Sequence, residues 1–430
     1  MHKKKEEPSS GEETTASSNH HGSSSGVDSV YAWTRLAVAL LVSTIGGVGM
    51  WSVVVVLPVV QSEFGVARAD AALPYTMTMI GFGIGGVVMG KLADRFGIAF
   101  PVVVGASMLS LGYVLSASAE GILQFGLVQG LLIGFGTSTT FAPLLADTSL
   151  WFMKRRGAAV GLIASGNYLA GAVWPPIVQH FVQTSGWRAT HMGIALFCLA
   201  TMLPLALLYL RRRAPTTAPA AALAYGGSLP VRPLGLAPGT LQTLLIIAGI
   251  GCCVAMAMPQ VHLVAYCSDL GYGAARGAEM LSLLLACGIL SRLIFGWVSD
   301  HIGGLRTLLL GSFLQAIALV MYLPTDGLVS LYLVSALFGL FQGGIVPSYA
   351  IIVREYFSPK EAGARVGTVL MATLFGMAFG GWMSGVIYDA TGSYQVAFVH
   401  GIVWNLLNIV IVGWLLRLAF KHTARAAATT

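Results

Sequence analysis

Long apolar runs recur along nearly the whole chain and restrict it to one class of fold. A helix needs about 20 apolar residues to cross the hydrocarbon core of a bilayer. The runs predict twelve membrane-spanning helices, over 35–60, 71–92, 98–118, 121–149, 157–181, 189–210, 238–267, 277–298, 305–323, 328–352, 365–388 and 394–418. The sequence therefore predicts an all-α integral membrane protein that crosses a lipid bilayer many times.

The composition supports this fold class and excludes several functions. Hydrophobic residues make up 56% of the 430 residues and charged residues only 10%, whereas an average soluble domain carries roughly 25% charged residues. The net charge of +7 comes from short loops between the apolar runs, which does not indicate nucleic-acid binding. The patterns GxSxG, HExxH and GxxxxGK(S/T) are absent, so the sequence predicts no enzyme, cofactor or metal site.

A long polar interruption at 211–237, rich in Arg, Pro, Ala and Gly, separates the spans into two sets of six. A Ser- and Glu-rich segment without an apolar stretch precedes the first span, and this composition is typical of a disordered tail. The predicted organisation is a cytosolic tail 1–30, a six-helix bundle 31–212, a cytosolic linker 213–237, a second bundle 238–420 and a cytosolic tail 421–430.

The basic residues predict the orientation of the spans. With the N-terminus in the cytosol, only Arg68, Arg188 and Arg276 fall in outer loops, and Arg292 falls inside a span. The other basic residues, out of 24, are cytosolic, as the positive-inside rule requires. Both termini are therefore predicted to be cytosolic, and the compact loops favour a bacterial inner membrane.

Two positions in the chain carry related loops. The pattern Gly-x3-Asp-x2-Gly occurs at Gly90, Asp94 and Gly97 and again 206 residues later at Gly296, Asp300 and Gly303. Trp151-Phe152 recurs as Tyr356-Phe357, 205 residues later and at the equivalent topological place. These matches predict a parallel duplication of a six-helix unit, with the halves related by an axis along the membrane normal.

The sequence of the first loop, GKLADRFG at 90–97, resembles the signature between helices two and three of the major facilitator superfamily. The resemblance implies two pseudo-symmetric six-helix bundles and transport by alternating access. Glycines there allow a tight turn and close helix approach, and an aspartate can face a helix N-terminus or a basic side chain. The predicted cytosolic gate is Gly90, Asp94, Arg95 and Gly97, with the second copy at Gly296, Asp300 and Gly303.

Three further stretches give a narrower resemblance. VHLVAYCSDLG (261–271), SRLIFGWVSDHIGG (291–304) and WFMKRRGAAVGLIASG (151–166) are similar to the bacterial monocarboxylate transporter and oxalate–formate antiporter branch. In that branch an arginine of helix eight pairs with the substrate carboxylate, and Arg292 matches it. A buried arginine is costly in lipid unless it faces a partner or a water-filled cavity, and its fork suits a carboxylate. The alternative is a snorkelling side chain or a clamp on backbone carbonyls.

The chain departs from its relatives at several positions. The first span has no lysine, which animal monocarboxylate transporters carry there. Gly288 stands where those transporters have an acid, one turn before the arginine. The span 365–388 has no basic residue after Arg365, whereas the oxalate exchanger has a second cation in that helix. Because a dicarboxylate needs two positive anchors, these departures favour a monocarboxylate.

Candidates for proton coupling lie on the seventh and eighth spans. They are His262, Asp269 and Glu279, since the acids of this chain fall in tails, loops or span ends. Imidazole titrates near neutral pH, so a relay from His262 through Asp269 to Arg292 is one hypothesis. The alternative is that Asp269 caps the next helix and that His262 bonds within the bundle.

Polar or aromatic residues near the middle of spans are candidates for the substrate pocket. The resemblance places the first, fifth and tenth spans on the cavity, and these spans supply Trp51, Asn167, Tyr168, Phe341 and Gln342. The alternative for each is hydrogen bonding or packing between helices.

The leading hypothesis is a secondary active transporter of small organic monocarboxylates such as lactate or pyruvate, coupled to protons. A second hypothesis is a porter or exchanger for another organic anion or a drug-like solute. A third is a membrane sensor that binds without translocating, which the short tails disfavour. The predicted partners are a small organic anion, H⁺ and the lipid bilayer, without nucleic acid or an obligate protein partner.

Overall fold

The structure, a computed structural model, describes residues 26–153, 155–213 and 233–429. Most of the predicted N-terminal tail and of the predicted linker lies outside these ranges. We call the helices before the linker the N-terminal half: α1 (Val30–Gly46), α2 (Val48–Phe64), α3 (Arg68–Phe96), α4 (Ala99–Ala117), α5 (Ile122–Val128), a π-helical segment (Gln129–Gly134), α6 (Phe135–Ser138), α7 (Ala142–Leu150), α8 (Arg156–Ala164), α9 (Gly166–Ser185) and α10 (Trp187–Tyr209).

The C-terminal half follows the linker and is also helical. A short 3₁₀ turn (Pro233–Gly235) precedes α11 (Pro238–Asp269), α12 (Ala274–Ile302), α13 (Gly304–Tyr322), α14 (Leu328–Gln342), α15 (Ile345–Tyr356), α16 (Pro359–Thr391) and α17 (Tyr394–Thr429). The described ranges contain no β-strand, and α17 continues 11 residues beyond the predicted end of the last span. The predicted all-α class is confirmed.

Eleven helical stretches of the described ranges are long and apolar enough to cross a membrane, one fewer than the sequence predicts. The predicted fifth span, 157–181, is helical as α8 and α9 but is not among the eleven. This segment contains polar residues such as Asn167, Gln179 and His180. It packs between α1, α2, α10 and α12, and this packing buries Gln179, whereas Asn167 is half-buried and His180 is exposed.

Breaks divide several predicted spans where helices approach one another closely. The first span breaks at Gly47, where a Cβ would lie 2.5 Å from the Cβ of Ala170. The tenth span breaks at 343–344, and a Cβ on Gly344 would lie 2.1 Å from the Cβ of Phe295. By contrast, Pro58 lies within the continuous helix α2. Contacts between helices therefore determine these breaks.

The duplicated loops have the same backbone conformation. α3 and α12 are both 29 residues long. Gly97 ends the first with φ 85° and ψ 162°, and Gly303 ends the second with φ 81° and ψ 163°. Positive φ angles of this kind favour glycine because it has no Cβ. The two copies of the motif therefore form turns with the same backbone conformation.

Successive turns fall on alternate sides of the molecule, because each turn reverses the chain. We call one side the termini side, which contains the turns at 97–98, 151–155, 210–213, 303 and 357–358. The opposite side contains the turns at 65–67, 118–121, 186, 270–273, 323–327 and 392–393. Contacts support this grouping, since Asp28 N–H donates to Trp151 O at 3.0 Å and Gly304 N–H donates to Glu355 Oε1 at 2.9 Å.

The two halves meet along α3 with α16 and along α9 with α12. Near the opposite side, a Cβ on Gly385 would lie 2.8 Å from the Cα of Ala69. Midway along the helices, a Cβ on Gly83 would lie 2.8 Å from the Sδ of Met371. Nearer the termini side, a Cβ would meet no described atom within 4 Å at Gly86, Gly90, Gly363 and Gly367. Along α3 and α16 the halves are in contact on the opposite side and separate toward the termini side, whereas α9 and α12 remain in contact at Arg292.

Candidate functional site

Arg292 lies between the two halves. Its guanidinium carbon lies 3.9 Å from the centroid of the Tyr168 ring, and its Nη1–H donates to Ala164 O at 2.5 Å. Its Nε is buried and has no hydrogen-bond partner among the described residues. The side chain thus keeps its charge and a free donor at a cross-half contact, beside a ring face that attracts cations.

Gly288 explains how Tyr168 reaches the arginine. A Cβ at this position would lie 2.3 Å from Cε1 and 2.5 Å from Cδ1 of Tyr168. Only a residue without a side chain lets the ring lie against α12 at this level. The place where the sequence comparison expected an acid is filled from the other half by an aromatic ring.

The structure brings Trp51 and Asn167 next to this site. Trp51 is 1% exposed, and its Nε1–H donates to the backbone oxygen of Asn167 at 3.1 Å. A Cβ on Gly171 would lie 2.4 Å from Leu285 of α12 and 2.7 Å from the Trp51 ring. Trp51 and Tyr168 therefore form neighbouring parts of one aromatic wall facing α12.

Phe341 and Gln342 belong to a different contact. Gln342 Oε1 accepts a hydrogen bond from Gln260 Nε2 at 2.9 Å, which joins α14 to α11 within the C-terminal half. Gln342 is fully buried, its Nε2 has no described partner, and Phe341 is half-buried. The described contacts do not join this pair to Arg292.

The described contacts do not link His262, Asp269 and Arg292 in the order that the relay hypothesis requires. Asp269 forms an ion pair with Arg68, with Oδ2 3.1 Å from Nη2. His262 is fully buried, with Nε2 2.8 Å from Gly381 O and Nδ1 3.4 Å from the Tyr394 hydroxyl. Asp269 ends α11 on the opposite side, whereas Arg292 lies toward the termini side.

Glu279 lies apart from these groups, at the exposed start of α12. Its Oε2 accepts a hydrogen bond from Arg276 at 2.9 Å and another from the Tyr332 hydroxyl. Both Glu279 and Arg276 are more than 40% exposed, so this is a surface ion pair.

The sequence alone does not indicate a second group of residues that joins the halves around Arg68. We call it the Arg68 cluster, and it consists of Arg68, Asp269, Tyr388, Asp389 and Tyr394. Arg68 is 6% exposed, its Nη1 donates to the Tyr394 hydroxyl at 2.6 Å, and its guanidinium carbon lies 4.7 Å from the Tyr388 centroid. Asp389 accepts from the backbone N–H of Arg68 at 2.8 Å and of Ala69 at 2.7 Å. The positive-inside rule places Arg68 in an outer loop, and nothing in the sequence near it indicates its contacts with the other half.

The two aspartates of the predicted gate motif make no described side-chain contact on the termini side. Asp94 and Asp300 are exposed, and neither makes an ion pair or side-chain hydrogen bond within the described ranges. Arg95 lies over the Phe96 ring at 5.2 Å. The acid that faces a helix N-terminus in the second copy is Glu355, which accepts from Gly304 N–H.

A second missed feature is a buried ion pair inside the N-terminal half. Arg35 Nη2 lies 2.9 Å from Asp147 Oδ2, and the two side chains are 3% and 14% exposed. Arg35 also donates to the backbone oxygen of Tyr209 at 3.0 Å and lies over the Trp151 ring at 4.7 Å. This pair joins α1, α7 and α10 on the termini side.

Comparisons with known proteins agree with this architecture. A model of the Major Facilitator Superfamily matches residues 39–334 and 280–429. Over 333 residues the chain is 29% identical to monocarboxylate transporter 13 of Bos taurus, covering 73% of each protein. Over 337 residues it is 24% identical to the agnestins efflux protein AgnL12 of Paecilomyces divaricatus, covering 78% of this chain and 75% of that protein.

The fold is also similar to a solved structure. A bacterial homologue of the human lysosomal transporter Spinster, in an inward-facing and occupied conformation, matches with a TM-score of 0.67. The match covers 92% of this chain and 97% of that one at 15% identity. The chain belongs to the Major Facilitator Superfamily. It is a multi-pass membrane transporter related to the monocarboxylate transporters, and it is not an enzyme.

Proposed function

We propose that this protein is a secondary active transporter of small organic monocarboxylates of the lactate and pyruvate type, coupled to protons. The observation that carries the proposal is the state of Arg292 between the halves. It lies over Tyr168 with a buried Nε–H that has no described partner. A guanidinium with a free donor binds a carboxylate strongly, and one such anchor suits one carboxylate.

We propose that transport proceeds by alternating access between two bundles, 31–212 and 238–420, with twelve crossings and cytosolic termini. The contact of α3 with α16 on the opposite side and their separation toward the termini side support this proposal. With this orientation, we propose that the structure corresponds to a state open to the cytosol. The motif acids Asp94 and Asp300 have no ion-pair partner among the described residues, and we propose that they form such pairs when the termini side closes.

We assign the pocket residues by their relation to Arg292. Trp51, Asn167 and Tyr168 form its neighbouring wall, and Phe341 and Gln342 are a deeper part of the C-terminal half that we propose meets the substrate during closure. His262 and Asp269 remain our candidates for proton coupling, and Glu279 is a weaker one because it is exposed. The location in a bacterial inner membrane remains a prediction from the compact loops. The relatives named above do not support it, because they come from a mammal and a fungus.

A second candidate function is export of another organic anion or a drug-like solute. The relative named as an agnestins efflux protein favours it, and so does the aromatic wall of Trp51 and Tyr168, which suits a larger apolar substrate. In that case Arg292 contributes less, because apolar contact supplies most of the binding.

The test is uptake of radiolabelled lactate into proteoliposomes, with pyruvate as competitor, with and without an inward proton gradient. We expect gradient-driven uptake by the wild type and its loss in Arg292→Lys, because an ammonium does not reproduce the planar fork. Arg276→Lys, at an exposed surface pair, is the matched control. Wild-type protein that transports neither acid contradicts the monocarboxylate assignment, and unchanged uptake by Arg292→Lys contradicts the role of the fork.

A further inference from the structure

We propose that Arg68 and Asp269 form a second substrate site, which takes up a carboxylic acid as its two ions at the opposite side. The carboxylate binds to the Arg68 guanidinium, and the proton binds to a carboxylate oxygen of Asp269. This inference rests on the proposed function, because it names where anion and proton first enter together. It replaces the relay through Arg292 with a pair that the structure brings into contact.

Asp269 already holds the position of a bound carboxylate. Its two oxygens lie 3.1 and 3.2 Å from Nη2 of Arg68. Arg68 Nη1 is bound to the Tyr394 hydroxyl, and Arg68 Nε is buried without a described partner. The Tyr388 ring covers one face of the guanidinium at 4.7 Å. The same elements, a guanidinium with a free Nε–H on a tyrosine ring, recur at Arg292.

The two acids of the Arg68 cluster differ in how firmly they are held. Asp389 accepts from two backbone N–H groups at the start of α3, where the helix end also favours a negative charge. Asp269 is held by side chains, namely by Arg68 across the halves and by Tyr388 within its own half. Its own side chain is 32% exposed whereas that of Arg68 is 7% exposed. Asp269 is therefore the partner that an incoming carboxylate exchanges with.

A cavity gives access to this exchange. It has a volume of about 460 Å³ and lies between the turns of the C-terminal half on the opposite side. Asp269 lines it together with Tyr388 and Tyr394, so the exposed part of the ion pair faces its interior. A lactate-sized molecule fits a space of this volume.

The charges around the site require a proton to accompany the anion. Asp269 faces Arg68 of α3, Tyr388 and Asp389 of α16, and Tyr394 of α17, and Asp326 lines the same cavity. His262 lies deeper on α11 and reaches the cluster through Tyr394. An anion that displaced ionised Asp269 would add a negative charge beside Asp326 and Asp389, which Coulomb repulsion opposes.

Protonation of Asp269 removes this repulsion and releases Arg68. The proton adds to a carboxylate oxygen, the ion pair breaks, and the substrate carboxylate forms a new ion pair with the same guanidinium. The charge of the site is the same before and after, since an anion and a proton enter together. Because Arg68 and Asp269 belong to different halves, the exchange also removes an ion pair that joins them on the opposite side.

The first test measures protons directly. Lactate is added to purified protein in weakly buffered detergent solution with a pH-sensitive dye. We expect wild-type protein to take up a proton with each bound lactate and Asp269→Asn protein to bind lactate without this uptake. Asp269→Glu restores it, because the carboxylate returns. Glu63→Gln, which alters an ion pair with Arg188 on the same side but within one half, is the matched control.

The second test separates coupling from transport in proteoliposomes. We expect Asp269→Asn to exchange labelled lactate for unlabelled lactate but to lose accumulation driven by a proton gradient. Proton-driven accumulation that persists in Asp269→Asn overturns this site while leaving the proposed function intact. Loss of exchange as well, in protein that still binds lactate, makes Asp269 a structural contact and also overturns it. A wild type that neither binds nor exchanges lactate or pyruvate contradicts the proposed function instead.

Discussion

Arg68 and Arg292 lie on equivalent helices of the two halves, yet their surroundings differ. Arg68 is the first residue of α3, whereas Arg292 lies 18 residues after the start of α12, about 27 Å along the helix. Each guanidinium reaches the other half and lies over a tyrosine ring. Arg68 has a carboxylate partner, while Arg292 binds only a backbone carbonyl within the described ranges.

We propose that the two arginines have different tasks because their partners differ. A guanidinium paired with a carboxylate presents little net charge to a passing anion, so we propose that Arg68 binds substrate only by exchange of partners. A guanidinium bound to a neutral carbonyl is not neutralised by its partner, so we propose that Arg292 binds an anion without first losing an ion pair. The partner, rather than the arginine, determines the role.

A third arginine provides the largest test, because Arg35 stays within one half. We expect Arg35→Met to lower the free energy of unfolding by about 3–5 kcal/mol, since Asp147 is then buried without its partner. Thermal unfolding of the purified protein measures this change. Arg35→Met combined with Asp147→Leu should recover most of the loss, and a single variant as stable as wild type would show that the pair contributes little.

The next test compares the two cross-half arginines directly. Replacing Arg292 by Gln should lower lactate uptake (kcat/KM) by roughly 100-fold, because a desolvated charged hydrogen-bonding partner of the substrate is lost. Arg68→Gln should lower kcat/KM less, by roughly ten-fold. This variant loses a partner of the substrate, but it also removes the ion pair with Asp269 that the substrate has to break. Initial rates over a range of lactate concentrations measure both. Equal losses in the two variants would remove the distinction between them.

A smaller effect is expected from Gly288→Ala. The new Cβ would lie 2.3 Å from the Tyr168 ring, so the ring has to move from beneath Arg292. Overpacking of this kind costs about 1–3 kcal/mol, and we expect KM for lactate to rise by roughly ten-fold. Gly413→Ala, where a Cβ meets no described atom within 4 Å, is the control. A normal KM in Gly288→Ala would show that Tyr168 does not position Arg292.

The smallest effect concerns Tyr394→Phe. The hydroxyl accepts from Arg68 at 2.6 Å and lies 3.4 Å from His262 Nδ1. Its removal costs about 0.5–1.5 kcal/mol, so we expect only a few-fold change in uptake, by about the same margin at each external pH. A variant that loses its pH dependence altogether would move the proton site from Asp269 to the path through His262.

Much of the fold follows from the sequence, because the length of each apolar run and the distribution of basic residues among the loops can be read directly along the chain. The duplicated motif likewise predicts paired turns, and Gly97 and Gly303 have matching backbone angles. The breaks at Gly47 and Gly344 do not follow, since close contacts with distant helices cause them. The fifth span is predicted and is helical as α8 and α9, but it is not among the stretches that are apolar enough to cross a membrane within the described ranges.

The sequence likewise indicates some residues of the candidate site and not others. Arg292 is conspicuous because a charge stands in an apolar run, and Gly288 is conspicuous because a resemblance leads one to expect an acid there. Arg68 has no such signal, since an arginine after a turn resembles any loop charge. Its partners Asp269 and Asp389 are 201 and 321 residues away in sequence, and only the fold brings them together.

The bonds from Asp389 to two backbone N–H groups have a consequence for how the protein tolerates change. Backbone donors are present whatever side chain occupies positions 68 and 69, apart from proline. Substitution of Arg68 therefore leaves this contact in place, and the opposite side retains a connection that does not depend on charge exchange. If Arg68 recognises the substrate as we propose, a substitution there would change recognition without removing this connection between the halves.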